Sequence, residues 1–231
     1  MAIYLKKFET QAAYEAAHSG LILPNVSLTV DNNTVHYSPS TPVPPTPSHD
    51  YVDLGLSVKW ATMNVGASSE SDNGLYFSWG NTEGHAKDSG YDFSESTYNS
   101  TSGSSVSANI AADSGYDAAR VNMGGNWRMP TKEECQELYD NCTRTWTSVN
   151  GVNGYRMTSN KAGYTSNSIF LPAVGYYIGT TLRDEGSGGH YWSSSFNSST
   201  NAYHLLFYST FVYPQNDRER YYGRSVRAVT E

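Results

Sequence analysis

Charge is what this 231-residue chain has least of: Asp, Glu, Lys and Arg make up 16% of it, and the formal balance is −7. With no basic surplus to neutralise phosphates, nucleic acid is excluded as a partner. Long apolar runs are missing too. Nothing approaches the roughly 20 residues of a membrane-spanning helix, so no membrane insertion is expected. Residues 1–8 show neither the apolar core and small-residue cleavage site of a signal peptide nor a lipoprotein cysteine. The expectation is synthesis in a cytoplasm without export by the general secretory route. Cysteine is nearly absent. Cys135 and Cys142 fall two turns apart on one predicted helix, roughly 10 Å from each other, too far for a disulfide. Buried free thiols are expected.

What the chain has in abundance is rings: 19 Tyr and 5 Trp, set among many Ser, Asn and Gly. So much aromatic surface must be hidden or used for contact.

Five of the nine prolines fall in residues 38–49, SPSTPVPPTPSH, which read as a semi-rigid polyproline spacer. Residues 1–37 form a small α/β module. Residues 3–8 read as a strand and residues 10–18 as a short helix stopped at Gly20. VSLTV and TVHYS, joined through Asp31, Asn32 and Asn33, read as a β-hairpin. So short a module needs a partner or self-association. Residues 50–231 form the main domain. It opens with an apolar strand, VDLGLSVKWATMNV, followed by a long loop over residues 89–107. The clearest helix is TKEECQELYDNC, with Thr131 as its cap and Glu134 closing a capping box. Cys135, Leu138, Tyr139 and Cys142 form its buried stripe. Beyond Trp146 the chain reads as strands: YRMTS, SIFLPAVGYY, HYWSSS, AYHLLF, FVY and GRSVRAV. Two helices at most and then a run of strands define an α+β fold.

Five motifs occur in order: GGNWRMPTKEE (124–134), FLPAVGYY (170–177), GHYWSSS (189–195), NAYHLLF (201–207) and RYYGRSVRAV (220–229). On these, residues 51–231 resemble the C-type-lectin-like variable proteins of diversity-generating retroelements, and the related paralogous domain families of Bacteroidetes and Fibrobacter. The leading MAIYLKKFETQAAYEAA is similar to the start of structural proteins from phages of gut Bacteroidales. The resemblance implies a C-type-lectin-like fold, mostly antiparallel with two helices, and a variable region at about residues 190–231. In such proteins adenine-directed mutagenesis rewrites Asn codons, never into Lys, Glu, Gln, Met or Trp. From His190 to Glu231 there is no Lys or Met, and only Trp192, Gln215, Glu219 and Glu231 lie outside the accessible set.

Strand alternation in AYHLLFY sends Tyr203, Leu205 and Phe207 to one face and His204, Leu206 and Tyr208 to the other. The resemblance makes the first set scaffold and the second display. The display face is then expected to comprise His190, Phe196, Ser198, Asn201, His204, Leu206 and Tyr208. Phe211, Tyr213, Asp217, Arg218, Tyr221, Tyr222 and Arg224 complete it. Tyr and Arg suit such a surface, because both are enriched at binding hot spots and Tyr has few torsions to freeze.

Catalysis is not expected. His190 and the serines of WSSS, so close along one strand, make no triad, and the six histidines show no metal-ligand spacing. Formylglycine-generating enzymes share the broad fold but use a cysteine pair near the C-terminal end, where this chain has none. The sugar-binding calcium signatures of C-type lectins are absent, and YPQND (213–217), read as a loop, is only superficially like them. The Asp184–Glu185 loop offers the carboxylates a hard cation would need. Arg128 and Arg227 read as structural forks onto carbonyls or a carboxylate. No cofactor is expected.

The function expected is ligand binding: a receptor-binding or adhesion protein on a phage tail or capsid surface, made in the host cytoplasm. Its ligand would be a bacterial surface protein or glycan. Attachment to a virion structural protein through the N-terminal module, or a homotrimer, would display it. The alternative is a fixed carbohydrate-binding module at a bacterial cell surface.

Overall fold

The hairpin expected near the N-terminus is present. β1 (Val26–Asp31) pairs antiparallel with β2 (Thr34–Pro39), from Val26 opposite Pro39 to Asp31 opposite Thr34. Ser38 and Pro39, read above as spacer, thus belong to a strand; proline is tolerated at an edge, where no ladder donor is required. The computed structural model describes these two strands and residues 49–231. The strand expected at 3–8, the helix at 10–18 and the rest of the spacer lie outside the described residues. The chain divides into two units, Met1–Ser48 and His49–Glu231, and the second carries every candidate site residue.

The long apolar strand expected at the start of that unit is two short ones, β3 (Tyr51–Val52) and β4 (Lys59–Ala61), with Val52 opposite Trp60. Gly55 separates them. Its φ of +69° suits glycine, and its N–H donates to Asp53 Oδ1 at 2.8 Å, so the chain reverses there. The loop expected at 89–107 holds α1 (Glu95–Asn99), capped by Ser94, and a 3-10 turn at Ser102–Ser105. Next comes α2 (Ala118–Met123), whose cap Asp117 is buried and accepts from the N–H groups of Arg120 and Met129. Burial pushes the Asp117 carboxyl up, against the pull of those donors. α3 (Lys132–Asn141) has the capping box read from the sequence, and Cys135 and Leu138 face inward. Both cysteines are buried and free. The expectation of two helices at most is corrected to three among the described residues, because α1 and α2 are too short to carry a helical period.

The rest is strand. β5 (Cys142–Val149) follows the helix without a loop and lies beside β6 (Val152–Ser159) and β7 (Ser168–Pro172) in an antiparallel sheet. β8 (Tyr176–Ile178) pairs with β9 (Thr181–Arg183). β10 (Gly188–Phe196), β11 (Asn201–Tyr208) and β12 (Phe211–Glu219) make a second antiparallel sheet. YPQND, expected as a loop, lies within β12. That strand is an edge, and Pro214 and Gln215 sit in the register shift opposite Leu205, where a missing N–H costs no ladder bond. The strand expected at GRSVRAV is mostly single bridges. Gly223, Arg224 and Ser225 pair with Tyr177, Phe77 and Tyr191 in turn before β13 (Val229–Thr230) joins β4. The described architecture is α+β with mostly antiparallel sheets.

Two large apolar clusters and a small third one, Tyr76, Phe93 and Tyr177, hold this unit together. In the first, Cys135 and Leu138 of α3 pack with Met157, Leu171, Tyr191, Leu205 and Phe207. In the second, Trp79, Met123, Trp127, Trp192 and Ala202 meet. The β10–β12 sheet lies between the two large ones: Tyr191, Leu205 and Phe207 face the first, and Trp192 and Ala202 the second. Its outer face is therefore covered at one end and open at the other.

Candidate ligand-binding face

The open end is made by the register of the three strands. Gly188, Tyr208 and Phe211 lie side by side, followed by His190, Leu206 and Tyr213, then Trp192, His204 and Asn216. Glycine is required at 188, where a Cβ would stand 2.8 Å from the Tyr208 ring; at 189 a Cβ would run into Phe207 on the core side. The pair lets one large ring lie over each face of β10.

The rings on the outer face form a continuous line. Centroids run from Tyr213 to Phe211 at 5.1 Å, to Tyr208 at 5.0 Å and to His190 at 5.9 Å. The line continues to Tyr176 at 4.4 Å, Tyr222 at 5.8 Å and Tyr221 at 4.9 Å. Such spacings are those of favourable ring contacts. Tyr213 and Phe211 are 54% and 40% exposed, and Tyr208, Tyr176, Tyr221 and Tyr222 are half-buried. Beside Tyr208 and Phe211, a shallow groove of about 660 Å³ opens against Trp146, Asn153 and Thr210.

Four of the expected display residues are buried: His190, His204, Leu206 and Arg224. Alternation put His204 and Leu206 on the correct side of the sheet, and His190, opposite Leu206, shares that side, but the Trp192, Tyr176 and Tyr222 rings crowd this end of it. The four form the floor of the face. Asn201 and Asp217 are a second correction. They lie on the face shared with Tyr203, and the Asn201 Nδ2 donates to Asp217 Oδ2 at 2.8 Å. Phe196 packs 6.0 Å from Trp79, and Ser198 closes the β10–β11 turn by accepting from the N–H groups of Thr200 and Asn201. Arg218 is exposed opposite Ala202, away from the ring line.

The floor is an unusual polar cluster. His190 and His204 stack at 5.9 Å, and neither ring nitrogen of either has a hydrogen-bond partner among the described residues. Burial lowers the His190 pKa to about 4; Asp184, at 3.7 Å from Nε2, raises it too little to compensate, and Arg224 lowers it further. Burial pulls His204 down as well, with Arg224 and His190 adding to it. Both rings are therefore neutral at pH 7. Asp184 caps the open end. His190 holds its carboxyl below the usual range, helped by the Tyr208 hydroxyl, which donates to Oδ2. Burial, and after it the Asp184 charge, pushes the Tyr208 phenol up. Arg224 lies 4.3 Å from Trp192 and 5.1 and 5.5 Å from Tyr222 and Tyr176, so ring faces surround its buried charge.

Sequence reasoning missed Tyr176 and Trp146, and read Asp184 for a hard cation rather than for this face. Tyr176 had a signal: of the pair Tyr176–Tyr177, only one ring can face the core, and Tyr177 takes that place. Trp146 had none, and nothing along the chain ties Asp184 to His190 and Tyr208, since they come from distant elements. Glu185, the other carboxylate of the loop read for a hard cation, pairs with Lys87 at 2.8 Å. Among the described residues, no three His, Cys, Asp or Glu side chains gather as metal ligands, and no helix is long and apolar enough to cross a membrane. Arg128 pairs with Glu134 at 2.7 Å and Glu231 at 2.9 Å, and Arg227 meets backbone carbonyls, so both are the forks expected. No protein-family model, curated protein or solved structure matches the chain.

Proposed function

We propose that this chain is a non-catalytic ligand-binding protein whose C-terminal unit has a C-type-lectin-like fold and presents the ring line as its recognition face. The observation that carries this reading is the unbroken run of seven rings ending in exposed Phe211 and Tyr213. Rings presented on a rigid sheet give contact area with little entropy to lose, which suits a face meant to meet a partner. The buried floor fixes the strands, and the rim carries the exchangeable side chains. On this reading the protein is a retroelement-diversified variable protein on a phage tail or capsid surface. The N-terminal unit attaches it to the particle, and the ligand is a bacterial surface protein or glycan.

The test is adherence of the labelled protein to intact cells of a panel of Bacteroidales strains. Binding to at least one strain is expected, weakened about tenfold or more by Phe211→Ala with Tyr213→Ala. Both sites are exposed, so the unfolding midpoint should hardly move. Adherence to no strain, or adherence indifferent to the double substitution, defeats the reading. Diversification has its own test: a near-copy of the coding segment for residues 190–231, differing at adenines and beside a reverse transcriptase gene.

A further inference from the structure

The groove of about 660 Å³ at the exposed end of the ring line is lined by rings from three strands: Trp146 of β5, Tyr208 of β11 and Phe211 of β12. Trp146 is held from the core side by Tyr155 and Phe207, with centroids at 5.2 and 6.3 Å. None of the lining residues is charged. Several of its polar groups are already spent. The Tyr208 hydroxyl donates to Asp184, and Asn153 Nδ2 donates to Gly186 O at 3.0 Å. Trp146 differs. Trp79 and Trp192 give their indole N–H groups to Ser193 O and Phe77 O, each at 2.8 Å. The half-buried Trp146 keeps its own N–H open to solvent and without a partner among the described residues. The exposed hydroxyls of Ser209 and Thr210 stand beside it on the same groove. The groove therefore offers ring faces and spare donors, and no charge.

We infer that this groove binds a proline-rich segment of the partner protein in the polyproline II form. The inference rests on the recognition face proposed above and narrows its ligand to protein. A polyproline II chain makes no internal hydrogen bonds, so its carbonyls stay free to accept. Each proline lacks an N–H and asks for no acceptor in return. Its ring is apolar and lies flat on an aromatic face. Such a chain is extended before it binds and loses little entropy on docking in an aromatic-lined groove. Here proline rings would lie against Trp146 and Phe211, and the Trp146 N–H would donate to a carbonyl between them. An ordinary extended peptide fits less well. Its N–H groups need acceptors, and the neighbouring edge strand β12 is blunted by Pro214 and its register shift. A charged peptide finds no opposite charge in the lining. The contact is small and open, so a Kd of about 0.1 mM is expected.

The experiment is titration of the full chain by NMR with decaproline, beside a Gly-Ser decamer, cellobiose and tetralysine. Saturable binding of decaproline is expected, with the Trp146 indole N–H resonance shifting as it binds. Trp146→Phe keeps a ring but removes the donor, and should weaken binding about threefold or more. Phe211→Ala, at an exposed site where folding is not at stake, should weaken it about fivefold or more. No binding at about 1 mM decaproline overturns the inference. So does tighter binding of the Gly-Ser peptide, cellobiose or tetralysine, or decaproline binding indifferent to both substitutions. Cell adherence that depends on Phe211 and Tyr213 while decaproline fails to bind sinks this inference alone. Decaproline binding without adherence to any strain upholds it and sinks only the cell-surface reading.

Discussion

Arg224 and Arg227 lie three residues apart in the same segment, each 1% exposed, and are held in opposite ways. Arg227 is saturated: its Nε donates to Asn64 Oδ1 at 2.9 Å, NH1 to the carbonyls of Ala61 and Thr62, and NH2 to Phe170 O at 2.9 Å. It pins the first strands of the unit to β7. Arg224 has one long contact, 3.5 Å from NH1 to Glu219 O, an unpaired Nε, and three ring faces. Burial opposes the charge of both. The difference teaches that one guanidinium serves the fold, and the other serves the packing of rings beneath the binding face.

The sharpest way to break that contrast is Arg227→Met. It leaves several buried acceptors unmet, and a loss of about 3–5 kcal/mol in urea unfolding is expected. A loss under about 1 kcal/mol would mean the fork is ornamental. Next comes acid. His190 and His204 are neutral when folded but titrate near 6.5 when unfolded. The His190 contribution is full above pH 6.5 and is lost as pH falls toward about 4, the unfolded chain binding the extra proton. For His190 alone this amounts to about 2 kcal/mol by pH 5; His204 acts in the same direction. Arg224 and Arg218 reinforce the effect, and Asp184 opposes it for His190. Unfolding midpoints between pH 7.5 and 5 should fall, and His204→Leu should flatten the slope. An unchanged slope contradicts the buried neutral pair. The smallest effect expected is from Arg224→Met. Removing a poorly paired buried charge while keeping bulk against Trp192 should change stability by no more than about 1 kcal/mol in either direction. A loss as large as that at Arg227 would erase the distinction between the two.

Much of the scaffold was legible because its signals are local. The Thr131–Glu134 capping box and the Cys135–Leu138 stripe located α3 to within a residue or two. The alternation in AYHLLFY sorted β11 correctly into core and outer sides. Short elements were not legible: α1 and α2 are a turn or so long, and β3 and β4 were merged because Gly55 lies inside an apolar run. The extent of β12 was hidden by Pro214, which signals a break unless the strand is known to be an edge.

By itself the sequence determined the α+β class, the well-capped helix, the free buried thiols and which side of β11 the residues from Tyr203 to Tyr208 take, since these depend on neighbours along the chain. Only the tertiary structure decided depth. His190, His204, Leu206 and Arg224 are floor and Phe211 and Tyr213 are rim because Tyr176 and Tyr222, from outside the sheet, pack on one end of it and leave the other bare. Period-two alternation states the direction of a side chain and carries no information about what distant segment covers it.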